Sequence, residues 1–101
     1  MDIKDFHIKY GSKLKELGFY TDGMFMHDYK GNVYIEYKNL KKDSPFLYAL
    51  LIIKEDKKKK KLIADILIKN TIYRNLSLRK LFYTLERGIT AKDEKYSHYS
   101  W

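Results

Sequence analysis

The 101-residue sequence has no cysteine, so disulfides, thiolate metal sites and a thiol nucleophile are all excluded. Proline occurs once, at Pro45, and the five glycines are scattered, which leaves no glycine-rich loop to cradle a phosphate. Long hydrophobic runs are missing too. The longest nearly apolar stretch, 46 to 53, is far shorter than the roughly 20 residues needed to span a bilayer, so no membrane association is expected. The opening Met1-Asp2-Ile3-Lys4-Asp5 has acidic residues and a helical period where a secretion leader would need a basic patch and an apolar block. A cytoplasmic location is the resulting expectation.

Catalytic signatures are equally scarce. His7, His27 and His98 lie far apart, and no pair has metal-ligand spacing, so neither a metal nor any other cofactor is expected. None of Ser12, Ser44, Ser77, Ser97 and Ser100 sits in a Gly-x-Ser-x-Gly turn. His27-Asp28 is the one adjacent base and acid pair, but neighbours on a strand point to opposite faces. A non-enzymatic protein is the expectation. A metal-independent ribonuclease, which would need only a histidine, a partner group and cations, ranks below the binding readings.

Positive charge is what the chain has in excess. Lys and Arg total 21 against 13 Asp and Glu, for a formal charge of +8, and 18 of the 21 are lysines. Residues 1 to 40 balance at six basic and six acidic groups, whereas 41 to 101 hold 15 basic and seven acidic. The whole excess therefore lies in the second part, with an unbroken run from Lys57 to Lys61. Such asymmetry favours an anionic partner. The opposing account is that lysine-rich turns guard hairpin ends against edge pairing, and that the 18 Lys, ten Ile and ten Tyr reflect an AT-rich genome.

With 45% hydrophobic and 34% charged residues, the chain has the composition of a folded single α+β domain spanning 1–101. Ile3, Phe6, Tyr10, Leu14 and Leu17 recur at helical spacing, with Asp2 as cap and Gly18 as stop. Two runs, 24–29 and 33–38, joined across Lys30-Gly31-Asn32, predict a first hairpin whose Val33, Ile35 and Tyr37 face the core. A second hairpin is predicted from 46–53 and 62–68, with Phe46, Tyr48, Leu50 and Ile52 matched to Leu62, Ala64, Ile66 and Ile68. Leu78, Leu81, Phe82, Leu85 and Ile89 predict a last helix, capped by Ser77 and stopped at Gly88. The expected architecture is a two-layer sandwich in the order αββββα, a four-stranded antiparallel sheet of two hairpins flanked by N- and C-terminal helices. The uncovered face of that sheet would be wetted by solvent or paired with a second copy in a homodimer.

Two groups of residues are the candidate binding site for nucleic acid or an acidic partner. One is the tip Lys57, Lys58, Lys59, Lys60 and Lys61. The other is the outer face of the last helix, where Arg79, Tyr83 and Arg87 recur every four residues beside Lys80. Because ammonium groups lack the fork that reads a base edge, binding through the tip should be sequence-independent. The segment 90–101 forms an aromatic-rich tail in which Tyr96, Tyr99 and Trp101 are candidate partner anchors. The leading expectation is a small non-catalytic protein acting on nucleic acid or on a complex that handles it. The alternative is an inhibitor or adaptor, of the kind a phage or other mobile element encodes, that meets an acidic host protein through exposed tyrosines and the tail.

Overall fold

The computed structural model describes residues 1–87, with Arg87 placed by its backbone. Helix α1 spans Ile3–Glu16 and starts as the sequence predicts. The Asp2 side chain accepts the Asp5 N–H at 2.9 Å while the Asp5 carboxylate accepts the Asp2 N–H, a reciprocal capping box. Ile3, Phe6 and Leu14 form its buried stripe. The helix stops at Gly18, whose φ of +100° suits a residue without Cβ. Close approach also requires glycine here, because a Cβ would come within 2.4 Å of Lys41 Cβ and 2.8 Å of Asn39 Oδ1.

Six strands follow, not four: β1 (Phe19–Tyr20), β2 (Met26–His27), β3 (Val33–Asn39), β4 (Leu50–Asp56), β5 (Lys61–Ile68) and β6 (Thr71–Leu76). They form one antiparallel sheet in the order β1-β3-β4-β5-β6, with β2 also pairing on β3. The expected first hairpin survives as β2 and β3, although its first arm is only two residues long. The second hairpin is β4 and β5. Two elements extend the sheet beyond the expected pair of hairpins. Phe19–Tyr20 pairs with Asn39 and Lys38 as soon as the chain leaves α1. At the other edge, the two-residue Lys69-Asn70 turn, with Lys69 at φ 56°, returns the chain as β6.

The buried face of β4 also differs from the expectation. Phe46 is buried, but the inward residues after it are Ala49, Leu51 and Ile53, not Tyr48, Leu50 and Ile52. The cause is a bulge. The Asn39 N–H donates to the Ala49 carbonyl and the Tyr48 N–H to the Asn39 carbonyl, so Tyr48 and Ala49 together face one residue of β3. The extra residue shifts the alternation by one and leaves Tyr48, at φ 68°, 80% exposed.

Helix α2 (Leu78–Arg87) closes the described chain, with the Ser77 hydroxyl accepting the Lys80 N–H at 3.2 Å. Its Leu81 and Leu85 are buried. Both helices lie on the same sheet face, α1 over β3 and β4 and α2 over β5 and β6. Their rings meet between them: Phe82 stands 4.8 Å from Tyr10 and 6.3 Å from Phe6. Further along, Lys13 pairs with Glu86, so the helices run in the same direction. Beneath them Ile35, Tyr37, Leu51, Ile53, Ala64 and Ile66 make the core. The opposite sheet face is uncovered by any described element and carries half-buried rows such as Tyr34, Lys54 and Ile63, or Glu36, Ile52 and Asp65.

Tyr37 supplies a test of this packing. Its ring is 1% exposed, its hydroxyl lies 2.8 Å from His7 Nδ1, and burial pushes the phenol up to about 12. A raised folded-state pKa means that the stabilisation is complete below the unfolded value of 10 and is lost as pH rises from 10 through 12. About 2–3 kcal/mol should disappear over that window. Denaturant titrations at stepped alkaline pH should show Tyr37→Phe losing less stability than the unsubstituted protein. Parallel losses in both would contradict the buried phenol.

Candidate functional site

One end of the sheet carries the lysine run. Strands β4 and β5 close there through the turn 57–60, with Asp56 paired to Lys61 across its base. The Asp56 carboxylate accepts the N–H groups of Lys58 at 2.9 Å and Lys59 at 3.2 Å, while Lys60 takes a left-handed φ of 52°. The polar segment between the expected strands 46–53 and 62–68 thus narrows to a short turn fixed by its own aspartate. Lys57, Lys58, Lys59, Lys60 and Lys61 are all exposed, and none pairs with a described carboxylate.

A second turn lies beside it, and sequence reasoning did not connect the two. The β2–β3 turn is held by Asp28, whose Oδ1 accepts the N–H groups of Lys30 and Asn32, each at 2.9 Å, while Oδ2 accepts from Asn32 Nδ2 at 3.2 Å. Gly31 adopts φ +82°, and the Lys57 ammonium lies 3.5 Å from where its Cβ would be. Lys54 reaches Asp28 at 3.7 Å, and the Lys57 N–H donates to Asn32 Oδ1 at 3.4 Å. The two turns are therefore joined by polar contacts. The joined surface adds Lys30 and Tyr29 to the lysine run. Tyr29 is 93% exposed, with the Lys30 ammonium 5.6 Å from its ring centroid.

The described carboxylates at this end are ionised hydrogen-bond acceptors within the fold. Besides Asp28 and Asp56, Glu55 accepts the Ile3 N–H at 3.1 Å, and Asp2 and Asp5 cap α1. Desolvation raises the pKa of Asp28, but hydrogen bonds from the Asn32 backbone and side chain and the Lys30 backbone, together with the Lys54 charge, outweigh it and leave the pKa below 3.8. At neutral pH Asp28 is thus an ionised structural acceptor. It forms no ready acid for His27, whose side chain is exposed on β2.

The helical half of the expected site is only partly near this end. Leu76 pairs with Ala64, three residues up β5 from Lys61, so α2 begins roughly 10 Å from the base of the lysine turn. Arg79 and Lys80, both exposed, lie in its first turn. From there the helix runs away toward the far end, and Arg87 lies about 12 Å along it from Arg79. Tyr83, 51% exposed, stands between. The described cations of the expected site thus form, with Lys30, a cluster at the two turns with an extension along α2, rather than one patch centred on the helix. Tyr96, Tyr99 and Trp101 lie outside the described residues, as do Gly88 and Ile89.

Among the described residues no group of three or more His, Asp or Glu is placed to hold a metal ion, and no helix is long and apolar enough to cross a membrane. An open hollow of about 490 Å³ lies at the opposite end, lined by Ser12, Lys15, Glu16, Tyr20 and Lys41 without a paired acid and base. No protein-family model, curated protein or solved structure matches this chain.

Proposed function

We propose that the protein is a non-catalytic binder of nucleic acid, acting through the end of the sheet where the turns 28–32 and 57–60 meet. The observation that carries this reading is the contact between those turns. It sets Lys30 beside Lys57 to Lys61, while the neighbouring Asp28 and Asp56 accept hydrogen bonds from the turns themselves and Asp28 also pairs with Lys54. Five ammonium groups on two short, internally bonded turns, with Lys61 at the start of β5 as a sixth, offer phosphates a cationic surface on a fixed backbone, extended by Arg79 and Lys80 at the start of α2. Lysines bind as point charges, so the phosphate backbone supplies affinity and base sequence matters little.

Six neutralised phosphates predict a slope of log affinity against log salt of about −4 on a single strand and about −5 on a duplex. Titrating labelled nucleic acid between about 50 and 200 mM salt measures it. A slope near zero, or no binding, would remove the proposal. A second reading, an adaptor or inhibitor of an acidic protein, is favoured by the far end, where Leu40 is 60% and Tyr48 80% exposed. It would take precedence on that outcome.

A further inference from the structure

We propose that the ligand of this surface is single-stranded nucleic acid, bound by stacking one base on Tyr29 while adjacent phosphates lie on Lys30 and Lys57 to Lys61. The inference rests on the nucleic-acid reading above and adds the strand state that the site selects.

Tyr29 carries it. A residue 93% exposed contributes almost no burial to the folded chain, yet its turn is held by several internal hydrogen bonds. Asp28 accepts two backbone N–H groups and the Asn32 amide, the Gly31 N–H donates to the Asp28 carbonyl at 2.9 Å, and the Asp28 N–H donates to the Asn32 carbonyl at 2.9 Å. The turn backbone is fixed before any ligand arrives, so only two side-chain torsions of Tyr29 remain to be ordered. Lys30 lies over one side of the ring, which leaves the other for a planar partner.

The Lys57 ammonium, 3.5 Å from where a Gly31 Cβ would be, brings further positive charge to the same turn. An aromatic face flanked by cations that track a backbone is how sequence-tolerant single-strand sites are built. A duplex keeps its base faces stacked internally and offers only edges and phosphates. It could use the lysines but not the ring. The absence of arginine from both turns fits the same choice, since no forked donor is present there to read a base edge.

The test compares three probes at equal phosphate number: an oligothymidylate strand, an abasic strand and a duplex. Each is titrated with the unsubstituted protein, Tyr29→Phe, Tyr29→Ala and Lys58→Gln. Because Tyr29 is exposed, its variants should fold, and circular dichroism checks that they do. The expected result is that oligothymidylate binds about tenfold more tightly than the abasic strand. Tyr29→Ala should abolish that difference without altering the salt slope, and Tyr29→Phe should retain it. Lys58→Gln should weaken all three probes. Equal affinity for oligothymidylate and abasic strands, or tighter binding to the duplex that is indifferent to Tyr29→Ala, overturns the stacking proposal. In that case the loss on Lys58→Gln would keep the nucleic-acid reading standing. Failure of every probe to bind overturns both.

Discussion

Asn39→Ala is expected to destabilise the protein by about 3 kcal/mol, the largest loss from a single substitution that removes no apolar bulk. Asn39 is 0% exposed and is the one polar side chain buried in the core among the described residues. Its Nδ2 donates to the Leu17 carbonyl at 3.0 Å and to Ser44 Oγ at 3.3 Å, and its Oδ1 accepts the Lys41 N–H at 3.2 Å. Its backbone holds the bulge at Tyr48 and Ala49. One side chain thus ties the last turn of α1 to the end of β3 and to the loop that leads into β4.

Truncation would take the side-chain acceptor from the Lys41 N–H and would weaken the bonding of the Leu17 carbonyl. For a chain of this size, about 3 kcal/mol corresponds to a fall in Tm of roughly 12 to 20 °C. Ser44→Ala should cost about 1 kcal/mol, because the Ser44 hydroxyl shares the Leu17 carbonyl and accepts the Phe46 N–H at 3.0 Å. In the double variant the losses should not add, since both act on one network. A loss under about 1 kcal/mol for Asn39→Ala in denaturant titration would show that the network is not what fixes this corner.

The same corner explains much of what the sequence concealed. Asparagine at the end of a strand reads as a turn former, and nothing in Asn39-Leu40 announces that the amide is buried. The bulge opposite it inverts the alternation of β4, so a period of two counted from Phe46 assigns Leu50 and Ile52 to the wrong face. Strand β6 was hidden for a related reason. Arg74 and Asn75 together face Asp65, Asn75 sits at φ 55° with its N–H donated to Asp65 Oδ1 at 2.8 Å, and the alternation breaks after Tyr73. Where no bulge intervenes, local chemistry was legible. Asp2, the apolar stripe and Gly18 mark α1, and Ile35 and Tyr37 mark the inner face of β3.

At the candidate site, the lysine run could be read as cationic, but its neighbour could not. Tyr29 and Lys30 are 27 residues from Lys57 at the nearest, and only the pairing of β3 with β4 brings their turns together. Stretches far apart in sequence carry no local sign of their adjacency. The helical spacing of Arg79, Tyr83 and Arg87 was legible as well, but spacing along a helix says nothing about which end of the sheet the helix starts from.

Replacing Lys30, Lys57, Lys58 and Lys59 together by glutamine should reduce nucleic-acid affinity by roughly 10³- to 10⁴-fold at about 50 mM salt. Lys60 is left in place because its φ of 52° restricts the choice of substitute, and Lys61 because it pairs with Asp56 at the base of the turn. The estimate follows from counterion release. Each lysine that neutralises a phosphate on a single strand contributes about 0.7 to the salt slope, so the slope should fall from about −4 to near −1.4 as six contacts become two. At higher salt the variant and the unsubstituted protein should converge, because released counterions then return less entropy. Stability should barely change, since these side chains are exposed and pair with no described carboxylate, whereas the backbone groups that fix both turns are untouched. An affinity loss without a change in slope would mean that the lysines act through the shape of the turns and not through their charge. A loss under about tenfold would move the contact surface to Arg79 and Lys80 at the head of α2, which the same titration on an Arg79→Gln, Lys80→Gln variant would register.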